Sequence, residues 1–178
     1  MRFHASGQVS RAGVPPAGEA PSRRLSLEPL TVAHAPAMFE ILNDPKIYTY
    51  LDFPPPPSLE HLQRVYAQLE TRRSPDGAEQ WLNWIVVRDG APIGLVQATI
   101  SAEGCEIAYV FGSAYWGRGY ATEAVSAMLA QLGEQKFFAN VDEKNERSIR
   151  LLERLGFSAE FGRRDAALPA GGTPTLLG

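Results

Sequence analysis

The chain has 178 residues, 44% of them hydrophobic and 21% charged, with a formal net charge of −3. These values fit a globular protein with a sizeable core and offer no basic surface for nucleic acid. Cys105 is the sole cysteine, which excludes an intramolecular disulfide and multi-cysteine metal centres; His4, His34 and His61 lack ligand spacing, so no metal is expected.

No run nears the roughly 18 apolar residues of a membrane span, so the expectation is a cytoplasmic protein with neither a membrane nor a nucleic-acid partner. Residues 1–23 are rich in Arg, Gly and Pro and lack the apolar centre of a secretory signal. They are expected to form a disordered tail or an overlong start, although their Arg, Ser and Ala content also suits a targeting peptide. The remainder, 24–178, is expected to form a single domain. From Arg24, RLSLEPL alternates as a strand. Thr31 caps a helix whose apolar face is Met38, Phe39, Ile41 and Leu42. Four prolines after Phe53 force an extended segment, and Ser58 caps a second helix with the stripe Leu59, Leu62, Val65, Tyr66 and Leu69. Two strands flank a turn at Asp89 and Gly90, and CEIAYVF follows a second turn at Glu103 and Gly104. ATEAVSAMLAQL has a helical period and is expected to end near Leu132; KFFANV reads as a strand, NERSIRLLERLGF as a helix stopped by Gly156, and FSAEF as a short strand. LPAGGTPTLLG permits one last weak strand. This order predicts an α+β fold: a twisted, mostly antiparallel sheet of six or seven strands with about four helices.

YWGRGYATEA, at the junction of CEIAYVF and the third helix, is the stretch that points to chemistry. Gly112 and Gly117 match the spacing of a P-loop, but Arg118 replaces its lysine and Gly119 its magnesium-binding hydroxyl residue. A dinucleotide fingerprint fails where Thr122 stands at the third glycine position. Glycines that expose backbone N–H groups before a helix start suit a phosphate or pyrophosphate, and Arg118 adds a positive charge. The alternative is a tight turn and nothing more.

WGRGYATEA followed by NERSIRLLERLGF resembles the GNAT acetyltransferases. Trp116, in place of the family's usual Gln or Arg, makes the stretch similar to the Rim-type (RimJ/RimL-like) ribosomal-protein alanine N-acetyltransferases. The resemblance implies acetyl-CoA as cosubstrate. Its pyrophosphate would lie on Gly117, Arg118, Gly119, Tyr120, Ala121 and Thr122, and its pantetheine arm along Val110 and Phe111. Asn145 would approach that arm, with Ser148 one turn along the same helix. The resemblance also implies a last strand, for which the C-terminal residues give little signal.

Acetyl transfer to an amine requires a group to take the amine proton, a donor for the oxyanion, and departure of the thiolate. Strand alternation puts Glu106, Ala108 and Val110 on one face and Cys105, Ile107, Tyr109 and Phe111 on the other. Glu106 is the candidate base, with a paired structural carboxylate as its alternative. A main-chain N–H near Val110 is the candidate oxyanion donor, and Ser148 or Tyr109 the candidate donor to the thiolate. Asn145 also reads as a helix N-cap, Glu123 as a partner of the helix start, and Cys105 as a small core residue. Trp81, Trp84, Tyr48, Tyr50 and Phe53 are expected either to wall the acceptor pocket or to pack in the core. The reading is an N-acetyltransferase acting by direct transfer in a ternary complex on a protein N-terminus or a small amine, as monomer or homodimer. Its alternative is a silent acyl-CoA sensor of the same fold.

Overall fold

The structure is a computed structural model that describes residues 1–6, 24–51 and 53–160. Its strands are β1 (Arg2–Ser6), β2 (Ser26–Pro29), β3 (Gln80–Arg88), β4 (Ala91–Ser101), β5 (Gly104–Phe111), β6 (Lys136–Asn140) and β7 (Ser158–Glu160). Its helices are α1 (Ala35–Leu42), α2 (Leu59–Glu70), α3 (Tyr120–Leu132) and α4 (Glu146–Arg154), and the 3₁₀ segment Pro45–Tyr50 lies between α1 and α2. The seven strands form one sheet in the order β2-β3-β4-β5-β6-β1-β7, antiparallel except at β5–β6. This is the expected α+β architecture.

Local chemistry sets most boundaries. Ser58 caps α2 by accepting the His61 N–H at 3.2 Å. Asp89 and Gly90 have φ of 51° and 78°, the paired positive angles that a tight β3–β4 hairpin needs. The sheet separates two cores. Trp84, Val86, Ile107 and Phe111 face α3 and α4, whereas Trp81, Ile85 and Leu95 face α1 and α2. Trp81 and Trp84, at 2% and 4% exposure, are therefore packing residues and not pocket walls.

The N-terminal residues depart from expectation. Arg2–Ser6 do not belong to a tail: they form β1, which pairs antiparallel with β6 on one side and β7 on the other. The reason is alternation, since Phe3 and Ala5 enter the α3–α4 core while Arg2 and His4 lie by the Phe138 ring. The rest of the expected tail, 7–23, and the C-terminal segment 161–178 lie outside the described residues.

Candidate active site

β5, α3 and α4 converge where the glycine stretch lies. After β5 the chain makes a 3₁₀ turn, Ser113–Tyr115, and then Gly117 and Gly119 take φ of 73° and 80°. A Cβ at either would meet nothing within 4 Å. Left-handed backbone therefore demands these glycines, crowding does not, and the face of the loop is open. α3 closes its first turn with the Glu123 N–H donating to the Gly119 carbonyl at 3.0 Å. The amides of Tyr120, Ala121 and Thr122 precede that ladder and carry the positive end of the helix dipole. Trp116 Nε1–H donates to the Phe111 carbonyl at 2.8 Å, which folds the loop back onto β5, and the Arg147 guanidinium lies 5.0 Å over the Trp116 ring. Glu123, in the first turn of α3, accepts from Arg24 Nη2 and Nε at 2.7 and 3.1 Å.

A cleft of about 730 Å³ opens between this loop, the start of α4 and the 3₁₀ segment Pro45–Tyr50. Lys46, Lys144, Arg147, Arg150 and Arg154 line it against one carboxylate, Glu146, which Arg150 pairs at 3.0 Å. In a chain of net charge −3, this concentration of cations suits a polyanion. Asn145 caps α4, its Oδ1 accepting the Ser148 N–H at 3.2 Å, and both residues face the cleft. Tyr50, 41% exposed, stands on the opposite wall, while Tyr48 packs edge-on to Phe53. A second depression, of about 1040 Å³, lies between β2, the β3–β4 turn and α3. Its two arginines are already engaged, Arg24 by Glu123 and Arg88 by Asp89.

The sheet itself opens toward the cleft. β5 and β6 pair only at Cys105–Phe137 and Glu106–Phe138, although β5 runs on to Phe111. Among the described residues the edge of 107–111 facing β6 thus has no strand partner. Five strand residues give about 17 Å of open main chain, running from a vertex at Glu106 to the glycine loop. Glu106 does not line the cleft; it sits at that vertex, where Asn140 Nδ2–H donates to its Oε1 at 2.7 Å. Asn140 carries no local signal in the sequence, because its contact with Glu106 depends on where β6 settles against β5. On the other face Tyr109 is half-buried, its enclosed hydroxyl beside Ser148 completing no hydrogen bond of good geometry among the described residues, and burial pushes its phenol up to about 12. Cys105 is fully buried, and desolvation, then the nearby Glu106, push its thiol up to about 11. It is a core residue and no nucleophile at neutral pH.

Among the described residues no group of three or more His, Cys, Asp or Glu is placed to hold a metal ion, and no helix is long and apolar enough to cross a membrane. Residues 24–158 match the family profile of the acetyltransferase (GNAT) domain. A Bacillus licheniformis protein described as the uncharacterized N-acetyltransferase p20 is 28% identical over 151 residues, covering 81% of this chain and 84% of its own. The aminoglycoside acetyltransferase AAC(6')-Ib, solved with coenzyme A, superposes with a TM-score of 0.62 at 22% identity, covering 76% of this chain and 85% of that one. The microcin C7 self-immunity acetyltransferase MccE, solved with acetyl-CoA and AMP, gives 0.63 at 17% identity, covering 80% and 83%. At such identities the two structures establish a shared fold.

Proposed function

The chain belongs to the GNAT acetyltransferase family, and from that premise we propose how its own residues transfer an acetyl group and to what. It is an acetyl-CoA-dependent N-acetyltransferase. The observation that carries the residue assignment is the open edge of β5, which joins the glycine loop at one end to Glu106 at the other. The amides of Gly117, Arg118, Gly119, Tyr120, Ala121 and Thr122 receive the pyrophosphate, with the Arg118 side chain as a mobile countercharge. Val110 and Phe111 meet the pantetheine arm through their main chain, and Asn145 flanks it from α4. An arm laid along this edge ends at the vertex beside Glu106.

Glu106, held by Asn140, takes the proton of the amine directly or through one water. The neutral amine nitrogen then forms a bond to the thioester carbonyl carbon and gives up its second proton to water. A main-chain N–H near Val110 holds the resulting oxyanion. Collapse breaks the carbon–sulfur bond, and the electron pair leaves on sulfur. Tyr109, protonated throughout the physiological range because its phenol is pushed up to about 12, donates a hydrogen bond toward that sulfur, with Ser148 alongside. An ordinary thiol, near 8.5, is the stronger acid. The coenzyme therefore leaves as a thiolate steadied by Tyr109 and takes its final proton from water.

The acceptor is a primary amine, either the N-terminus of a protein, as the Rim-type resemblance of WGRGYATEA implies, or a small amine. The cations around the cleft disfavour a polycationic acceptor. One acetyltransferase domain extends from residue 24 with β1 added to its sheet, working in the cytoplasm as monomer or homodimer. Thiol release from acetyl-CoA is the test, run against peptides with N-terminal alanine, small amino acids and amines, and an aminoglycoside. We expect equal amounts of thiol and N-acetylated product with at least one of the first two classes, and a slower rate with the aminoglycoside. Binding of acetyl-CoA with no thiol from any amine would replace this reading by that of a silent acyl-CoA sensor.

A further inference from the structure

Two walls of the cleft come from distant parts of the chain and share a single carboxylate. Asp44 follows α1 and caps the 3₁₀ segment Pro45–Tyr50, its Oδ1 accepting the Lys46 N–H at 3.0 Å. Its other oxygen, Oδ2, accepts the hydroxyl of Ser113, 69 residues away. Ser113 opens the 3₁₀ turn that leads into the glycine loop. The contact is reinforced next door, where a Cβ added to Gly112 would stand 3.2 Å from Ile41 Cγ2. The Ser113 hydroxyl, then the Lys46 amide, hold the Asp44 carboxyl below the usual carboxylate range. It is ionised and acceptor-only at neutral pH, so Ser113 must donate, and the bond is of the charge-assisted kind.

We propose that Asp44 and Ser113 are positioning residues that tie the acceptor-side wall, Lys46, Thr49 and Tyr50, to the glycine loop, so that occupation of the loop orders that wall. The proposal rests on the reading of the loop as the pyrophosphate site. Ligand on the loop amides restrains residues 113–119; Ser113 passes that restraint to Asp44, and Asp44 fixes the first turn of the segment that carries Lys46 and Tyr50 into the cleft. The wall that meets the amine is then set only when the cosubstrate is in place.

Hydrogen–deuterium exchange with coenzyme A as the probe tests this. In the wild type, coenzyme A should slow amide exchange both at 117–122 and at 45–51, by about fivefold or more in the latter. Ser113→Ala should bind coenzyme A with a Kd within about twofold of wild type and keep the protection at 117–122, yet lose it at 45–51. Ser113→Thr, which keeps the hydroxyl, should restore it. A purely structural role would lower Tm in Ser113→Ala and leave the ligand-dependent difference at 45–51 intact, and that result overturns the proposal. Absence of protection at 45–51 in the wild type overturns it equally. Failure of coenzyme A to bind the wild type would overturn the loop assignment, and the proposal with it. If Ser113→Ala does not fold, Asp44→Ser, whose shorter side chain can still accept the Lys46 N–H but has no second oxygen for Ser113, gives the same comparison.

Discussion

Tyr66 is fully buried in the α1–α2 core, and its hydroxyl has no hydrogen-bond partner among the described residues. Burial, then the neighbouring Tyr48, raise its phenol far above the ordinary value of 10. An unsatisfied buried hydroxyl is a liability, so Tyr66→Phe should stabilise the protein by about 1 kcal/mol, seen as a rise of roughly 2–4 °C in Tm. A fall in Tm would mean that the hydroxyl is bonded after all. The Tyr109 hydroxyl is also enclosed and without a good partner among the described residues, but it borders the cleft, where the proposed mechanism uses it as a donor. Tyr109→Phe should lower kcat by about tenfold to a hundredfold with little change in the Kd for acetyl-CoA, the pattern of a donor that matters when sulfur takes up charge. Unchanged kcat would remove Tyr109 from the chemistry. The sequence alone placed Tyr109 on the right strand and face, because alternation in CEIAYVF is a local property. It could not pair Ser148 with it, or Asn140 with Glu106, since those contacts depend on where α4 and β6 settle against β5.

At the level of elements, helices and turns were legible where their chemistry is local. Ser58 and Asn145 act as caps, and Asp89 with Gly90 makes the hairpin. Gly117 and Gly119 stand out by their spacing before a helix start, and their positive φ gives the physical reason for glycine at both. β1 was missed for a compositional reason. RFHAS has a strand alternation, but it is five residues long and runs directly into a stretch rich in Arg, Gly and Pro. Its signal is long-range: Phe3 becomes a core residue only when β6 and β7 flank it. Phe3→Ala should therefore cost about 3–5 kcal/mol in chemical denaturation, as for other fully buried phenylalanines. A loss below about 0.5 kcal/mol, the size expected of a surface change, would show that the strand does not hold its place in the sheet. The splay of β5 from β6 was likewise invisible in KFFANV, which reads as an ordinary buried strand.

Across the whole molecule, an acidic chain gathers five cations around one cleft, beneath a loop that lacks the lysine and hydroxyl of a nucleotide-hydrolysing P-loop. Acetyl-CoA at a hundred times its Kd should stabilise the fold by about 2.7 kcal/mol, a clear thermal shift, whereas Mg-ATP should give little. The reverse order would return the glycine stretch to the nucleotide reading. In the proposed mechanism the open edge of β5 delivers the thioester to Glu106, which Asn140 holds at the vertex. The dependence of kcat/KM on pH tests it most directly, measured for wild type and Glu106→Gln with the same amine. A loss of about a hundredfold or more near neutral pH is expected in Glu106→Gln, the scale of a missing general base. Full kcat/KM in Glu106→Gln at every pH would contradict it.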